Sequence, residues 1–153
     1  MAQITSNELE EIIEEYVDQF VPAMLKLNYH LTLVKGGPDY PHLSEQSHFA
    51  HIINGVFGFV ELVKFIIARQ IILPGLDDIT VRKAMALFSI HEVHKASDYE
   101  KIDQTEFSIP LERLRQEYNS LGLSEFAEVD EFLMRQANLH KRSYRQGDRL
   151  FHR

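Results

Sequence analysis

The 153-residue chain contains no cysteine. Disulfides and thiolate metal sites are thereby excluded, and any metal must be held by His, Asp or Glu. The same lack suits a reducing compartment, so a cytoplasmic location is expected. The first twenty residues hold six acids and no Lys or Arg. That start lacks the basic n-region of a secretory signal, and no short apolar h-region follows. The most apolar stretch, 49–73, is interrupted by His51, Asn54, Glu61, Lys64 and Arg69. It reads as a buried helix, and no membrane partner is expected. A phosphate-cradling loop is missing, since Gly36-Gly37 is not followed by Lys and Ser or Thr. A nucleophile elbow for Ser-His-Asp chemistry is missing too. No alternating strand pattern, internal repeat or low-complexity linker is found.

What is present fits one helical domain spanning 1–153. Hydrophobic content of 44% and charged content of 25% are ordinary globular values, and the length supports a single core. The net charge of −7 opposes a general nucleic-acid-binding surface. The tail 140–153 runs the other way, with Lys141, Arg142, Arg145, Arg149 and Arg153 against Asp148. It is either a phosphate-contacting segment or an ordinary solvated terminus.

Periodicity predicts an irregular, all-α bundle of about five helices. Thr5 and Glu8 have capping-box spacing. Leu9, Ile12, Ile13, Tyr16, Val17, Phe20 and Met24 form a stripe of helical period, with a kink expected at Pro22 and continuation towards Val34, before Gly36-Gly37-Pro38. Ser44 is a candidate cap for a second helix from Gln46 to about Arg69. That helix is apolar on most sides and is expected at the centre of the domain. Gly55 and Gly58 on it permit close approach of another backbone. Leu73-Pro74-Gly75 breaks the chain, and Asp77 or Asp78 caps a third helix. Residues 97–105 read as loop. Ser108 caps a fourth helix carrying Leu111, Leu114, Tyr118 and Leu121, which Gly122 ends. Ser124 caps a fifth, where Phe126, Val129, Leu133, Ala137 and His140 share a face.

The third helix is read through 84–98, so that Ala84, Leu87, Phe88 and His91 share a face directed to the core, with Glu92 beside it and His94 at i+3. Polar groups buried without partners there would cost several kcal/mol, so a metal or a hydrogen-bond network must compensate. His48 and His51 lie one turn apart on the second helix, and His140 lies on the fifth. Three helices thus each direct imidazole towards the core side. Imidazole and carboxylate together suit zinc, iron, nickel or manganese. The zincin signature is excluded, because His91-Glu92-Val93-His94 is one residue short of His-Glu-x-x-His.

A His followed about forty residues later by an adjacent His-acid pair resembles the HD superfamily of metal-dependent phosphohydrolases. The strings Leu43-Ser44-Glu45-Gln46, His51-Ile52-Ile53-Asn54-Gly55 and Ala86-Leu87-Phe88-Ser89-Ile90-His91-Glu92-Val93-His94-Lys95 are most similar to the N-terminal HD nuclease domain in the large subunit of type I-D CRISPR effector complexes. There the third string runs into His-Asp-Leu-His-Lys. The likeness covers roughly residues 43–140. It implies an all-helical HD fold with metal ligands His51, His91 and Glu92, the last replacing the family's Asp. It further implies a divalent transition metal, single-stranded DNA as substrate, a role in antiviral defence, and other effector subunits as partners. The chain is then an isolated HD module without the polymerase-like palm. The closing Asp has no clear counterpart: Asp130 and Asp148 match poorly, and His140 is the candidate replacement. His48 is a further candidate ligand, and His94 would serve a second metal. His94 and Lys95 are the candidate catalytic groups, contacting phosphate or moving a proton. Glu in place of Asp moves the carboxylate by roughly one bond length or more. It favours the alternative, a catalytically degenerate HD-fold module acting as an interaction part of an effector complex.

Overall fold

The structure is a computed structural model, and it describes residues 2–35, 42, 44, 46–91 and 111–137. The elements in order are α1 (Ser6–Lys26), a 3-10 turn (Tyr29–Leu31), β1 (Leu33–Lys35), β2 (Gln46–Ser47), α2 (His48–Ala68), α3 (Asp78–Ser89), α4 (Leu111–Ser120), α5 (Leu123–Phe126) and α6 (Glu131–Ala137). The fold is an irregular helical bundle, all-α apart from one two-stranded antiparallel ribbon.

Helix α1 starts where the sequence says. Glu8 N–H donates to Thr5 Oγ1, and Thr5 N–H donates to Glu8 Oε2 at 2.8 Å. Leu9, Ile12, Tyr16, Phe20 and Met24 form its buried stripe. The helix continues through Pro22 but stops at Lys26, well short of Val34. Asn28 is left-handed (φ 62°), and its short polar side chain tolerates what most residues do not. The chain then turns into β1, which pairs with β2 around Leu33 and Ser47. Strands of two and three residues are too short to write an alternation into the sequence. Helix α2 accordingly begins later than expected. Ser47, not Ser44, is its cap, accepting from Ala50 N–H at 3.1 Å.

Helix α2 packs against α1 and, most extensively, α3. His48, Ile52, Val56, Val60, Val63 and Ile66 are its buried residues, more than on any other described element. Its burial is one-sided, however. Phe49, Ile53, Phe57 and Phe59 are only partly covered, and Leu62 and Phe65 are 55% and 51% exposed. By length and composition alone this helix would suffice to cross a membrane; here its buried stripe lies against other helices of the bundle. Of its glycines, only Gly55 is a point of close approach, and it meets the ring of Phe88 rather than a backbone. Around Gly58 the space is open.

Asp77 caps α3, its Oδ1 accepting from Thr80 N–H at 2.8 Å. Those hydrogen bonds lower the pKa of the Asp77 carboxyl. The helix ends at Ser89, with Ile90 as cap, so His91 stands just beyond the helix rather than within one running to Asp98. Residues 92–98, the stretch 97–105 read as loop, and Ser108, read as the cap of the fourth helix, lie outside the described residues. In α4, Leu114 and Tyr118 are buried, and Leu121 follows them into the core. Gly122 (φ 76°) turns the chain after α4. The expected fifth helix is two pieces. Ser124 lies inside the four-residue α5 rather than capping a long helix, and Ala127 is extended. Asp130 caps α6 by accepting from Leu133 N–H at 2.9 Å, and Met134 is the residue α6 buries.

The core closes on an aromatic trio. Phe20 and Phe126 meet edge to face at 4.9 Å, with Tyr16 at 5.3 Å and 5.9 Å from them. Ser89 Oγ donates to Met85 O at 2.8 Å and therefore accepts from Tyr16 O–H at 2.6 Å, both hydroxyls being buried. Burial pushes the Tyr16 phenol up to about 12. Its proton is thus held more tightly folded than unfolded, and stability falls as pH rises from 10 through about 12. Tyr16→Phe is expected to lower stability by about 1 kcal/mol, read from urea unfolding at neutral pH. It should also remove this alkaline component.

Candidate metal centre

Two of the sequence-predicted ligands come together. The His51 and His91 rings lie 5.5 Å apart between centroids, tilted by 31°, and both residues are half-buried. His51 sits in the first turns of α2. His91 arrives from the end of α3, held by its N–H donating to Phe88 O at 3.1 Å.

Each ring is fixed through Nδ1. His91 Nδ1 lies 3.0 Å from the backbone oxygen of Ala137, at the end of α6. A carbonyl oxygen only accepts, so His91 carries its proton on Nδ1. His51 Nδ1 lies 3.1 Å from Gln46 Oε1 in β2 and donates to it. In the neutral form of either ring the lone pair is then on Nε2. This is the tautomer and the anchoring common to metal-ligating histidines, whose second nitrogen donates to a carbonyl or amide acceptor.

His48 has another place. It is fully buried, stacked against Tyr29 at 4.4 Å, and its Nε2 donates to the backbone oxygen of His91 at 3.1 Å. With Nε2 engaged by that carbonyl, it supports the turn that presents His91. The Tyr29 hydroxyl in turn donates to Glu117 of α4. Glu92, His94, Lys95 and His140 lie outside the described residues, as does Asp148. Asp130 is engaged in capping α6. Among the described residues, no group of three or more His, Asp or Glu side chains is arranged to hold a metal. The donors brought together among the described residues are two imidazoles.

Three supporting contacts of the site were not foreseen from the sequence. The Ala137 and His91 acceptors are backbone atoms, invisible to side-chain patterns. Gln46 stands five residues before His51 across a strand-to-helix junction, a spacing with no helical or strand period.

No protein-family model, no curated protein and no solved structure matches the chain.

Proposed function

We propose that this chain is a metal-dependent phosphodiesterase module of HD type, cutting single-stranded DNA in CRISPR antiviral defence. The observation that carries the metal reading is the His51–His91 pair, each ring anchored through Nδ1 with its lone pair on Nε2. Two neutral imidazoles fit a divalent transition metal, and Glu92, next to His91 in the chain, is the proposed carboxylate ligand. The resemblance of residues 43–140 narrows the substrate. A divalent metal held there supplies Lewis acidity towards a phosphoryl oxygen. The chain's own contribution is orientation. Gln46 and the Ala137 carbonyl hold the rings, His48 holds the His91 turn, and the proposal gives His94 and Lys95 the contact with phosphate.

A second reading rests on α2. The half-exposed Leu62 and Phe65, with Ile72 at 82% exposure beyond the helix, suit an interaction part of a larger complex.

Glu92 decides between them. If Glu92 is a ligand, its longer side chain requires a shift of the third helix or a looser ligand shell, so the wild-type protein is expected to take up metal substoichiometrically. Glu92→Asp should tighten metal binding by about 10-fold, within the range that altered ligand support typically gives. Cleavage of single-stranded DNA should rise in parallel. Metal stoichiometry and DNA cleavage are measured on both proteins side by side. Equal, negligible metal content and no cleavage in both would replace the enzyme with the interaction module.

A further inference from the structure

Helix α2 turns a second face outwards. Gly58, Leu62, Phe65 and Arg69 follow one another at spacings of four, three and four residues, the heptad rhythm that lays a seam along a helix. All four are exposed, and exposed Glu61 and Ala68 flank them on the same side. Glycine within a helix is unfavourable relative to alanine. At Gly55 the ring of Phe88 explains it. At Gly58 nothing among the described residues does, because a Cβ built there meets nothing within 4 Å. An apolar seam with a gap beside it is the shape that a second helix fills.

We propose that this face is a self-association surface, covered by the same face of a second copy in antiparallel register about Phe65. The proposal deepens the interaction reading of α2 and rests on it, not on the histidine pair. In such a two-fold contact, residues equally far from Phe65 on either side come level across the axis. Glu61 then stands level with Arg69 of the second copy, an acid against a base, and the symmetry makes this contact twice. Leu62 stands level with Ala68, a large side chain against a small one. The Gly58 gap comes level with the far end of the other helix, past which Ile72 is strongly exposed. Arg69 is already placed on the seam, its guanidinium 5.4 Å over the Phe65 ring. Lys64, which meets Glu61 at 3.3 Å and Glu10 at 4.0 Å, gives the seam a polar rim. These charges favour a second copy over a bilayer. Hydrocarbon would have to take in Glu61 and Arg69 at a cost, whereas the second copy supplies each with its opposite.

Sedimentation velocity on the full chain, over a concentration series reaching the millimolar range, reads the association. The wild type is expected to move from the 17.8 kDa chain towards twice that mass. Phe65→Glu, at an exposed position, should raise the dissociation constant by about 30-fold or more, as loss of an interface hot spot does. Glu61→Arg and Arg69→Glu should each weaken the dimer, because each sets like charges level. An equimolar mixture of those two variants should form it again, since both contacts then join opposite charges. A wild type that is monomeric throughout, a dimer unmoved by Phe65→Glu, or a mixture no tighter than its components overturns the proposal. A monomeric wild type that floats with phosphatidylcholine vesicles gives the face to lipid instead. The interaction reading itself is decided separately, by metal content.

Discussion

His91→Ala is expected to abolish metal uptake and with it any cleavage of single-stranded DNA, a loss of about 100-fold or more in metal affinity. Removing a supporting group already lowers affinity by about 10- to 100-fold, and here the imidazole itself goes. No described side chain is placed to replace it. His48 is packed on Tyr29 with its Nε2 turned to the His91 carbonyl, and His51 already occupies the other side of the pair. Stability should change far less, because His91 is only half-buried and lies past the end of α3. Isothermal titration with zinc, paired with thermal unfolding, separates the two effects. Undiminished zinc affinity in this variant would remove His91 from the site.

The second large effect is on folding. Phe126→Ala should lower stability by about 3–5 kcal/mol, the usual result of emptying an aromatic site in a packed core. Phe126 is almost fully buried, meets Phe20 and Tyr16, and has the Arg82 guanidinium 5.0 Å above its ring. Arg82 is itself held by Glu15 at 2.6 Å and Asp78 at 3.1 Å, so the ring ties α1, α3 and α5 together. That loss is a large share of the roughly 5–15 kcal/mol that a domain usually has. The urea midpoint should fall sharply. A change under about 1 kcal/mol would mean that the trio is not the keystone of the core.

The helical class was legible because the α1 stripe and the Thr5–Glu8 box are local patterns; the structure keeps the box and buries the stripe except for Val17, which is exposed, and Ile13, which is partly covered. Element ends were less legible. Asn28 stops α1 by taking a left-handed conformation that no periodicity announces, and Ala127 splits the fifth helix by extending. The one-sided burial of α2 also escaped the sequence, since composition shows how apolar a helix is but not how much of it its neighbours cover. At the site, the pairing of His51 with His91 was implied by the HD resemblance, whereas the α3 face read as core (Ala84, Leu87, Phe88 and His91) was not the buried one, since α3 buries Val81, Met85, Ala86 and Ser89. The orientation of the rings was not legible, because it depends on the Ala137 carbonyl and on Gln46 in a two-residue strand. The seat of Phe88 on Gly55 is likewise a contact between helices. The glycine alone suggested close approach without saying of what.

The most direct test of the paired histidines is a long-range proton–nitrogen spectrum of the imidazoles in uniformly nitrogen-15-labelled protein, titrated with zinc. Before zinc, His51 and His91 should both show the tautomer protonated on Nδ1, as Gln46 and the Ala137 carbonyl require. On titration the Nε2 signals of both rings should shift together and saturate with a single shared zinc. Rings protonated on Nε2 at the start, or His51 and His91 signals unmoved while zinc is added, would contradict a metal site built on this pair.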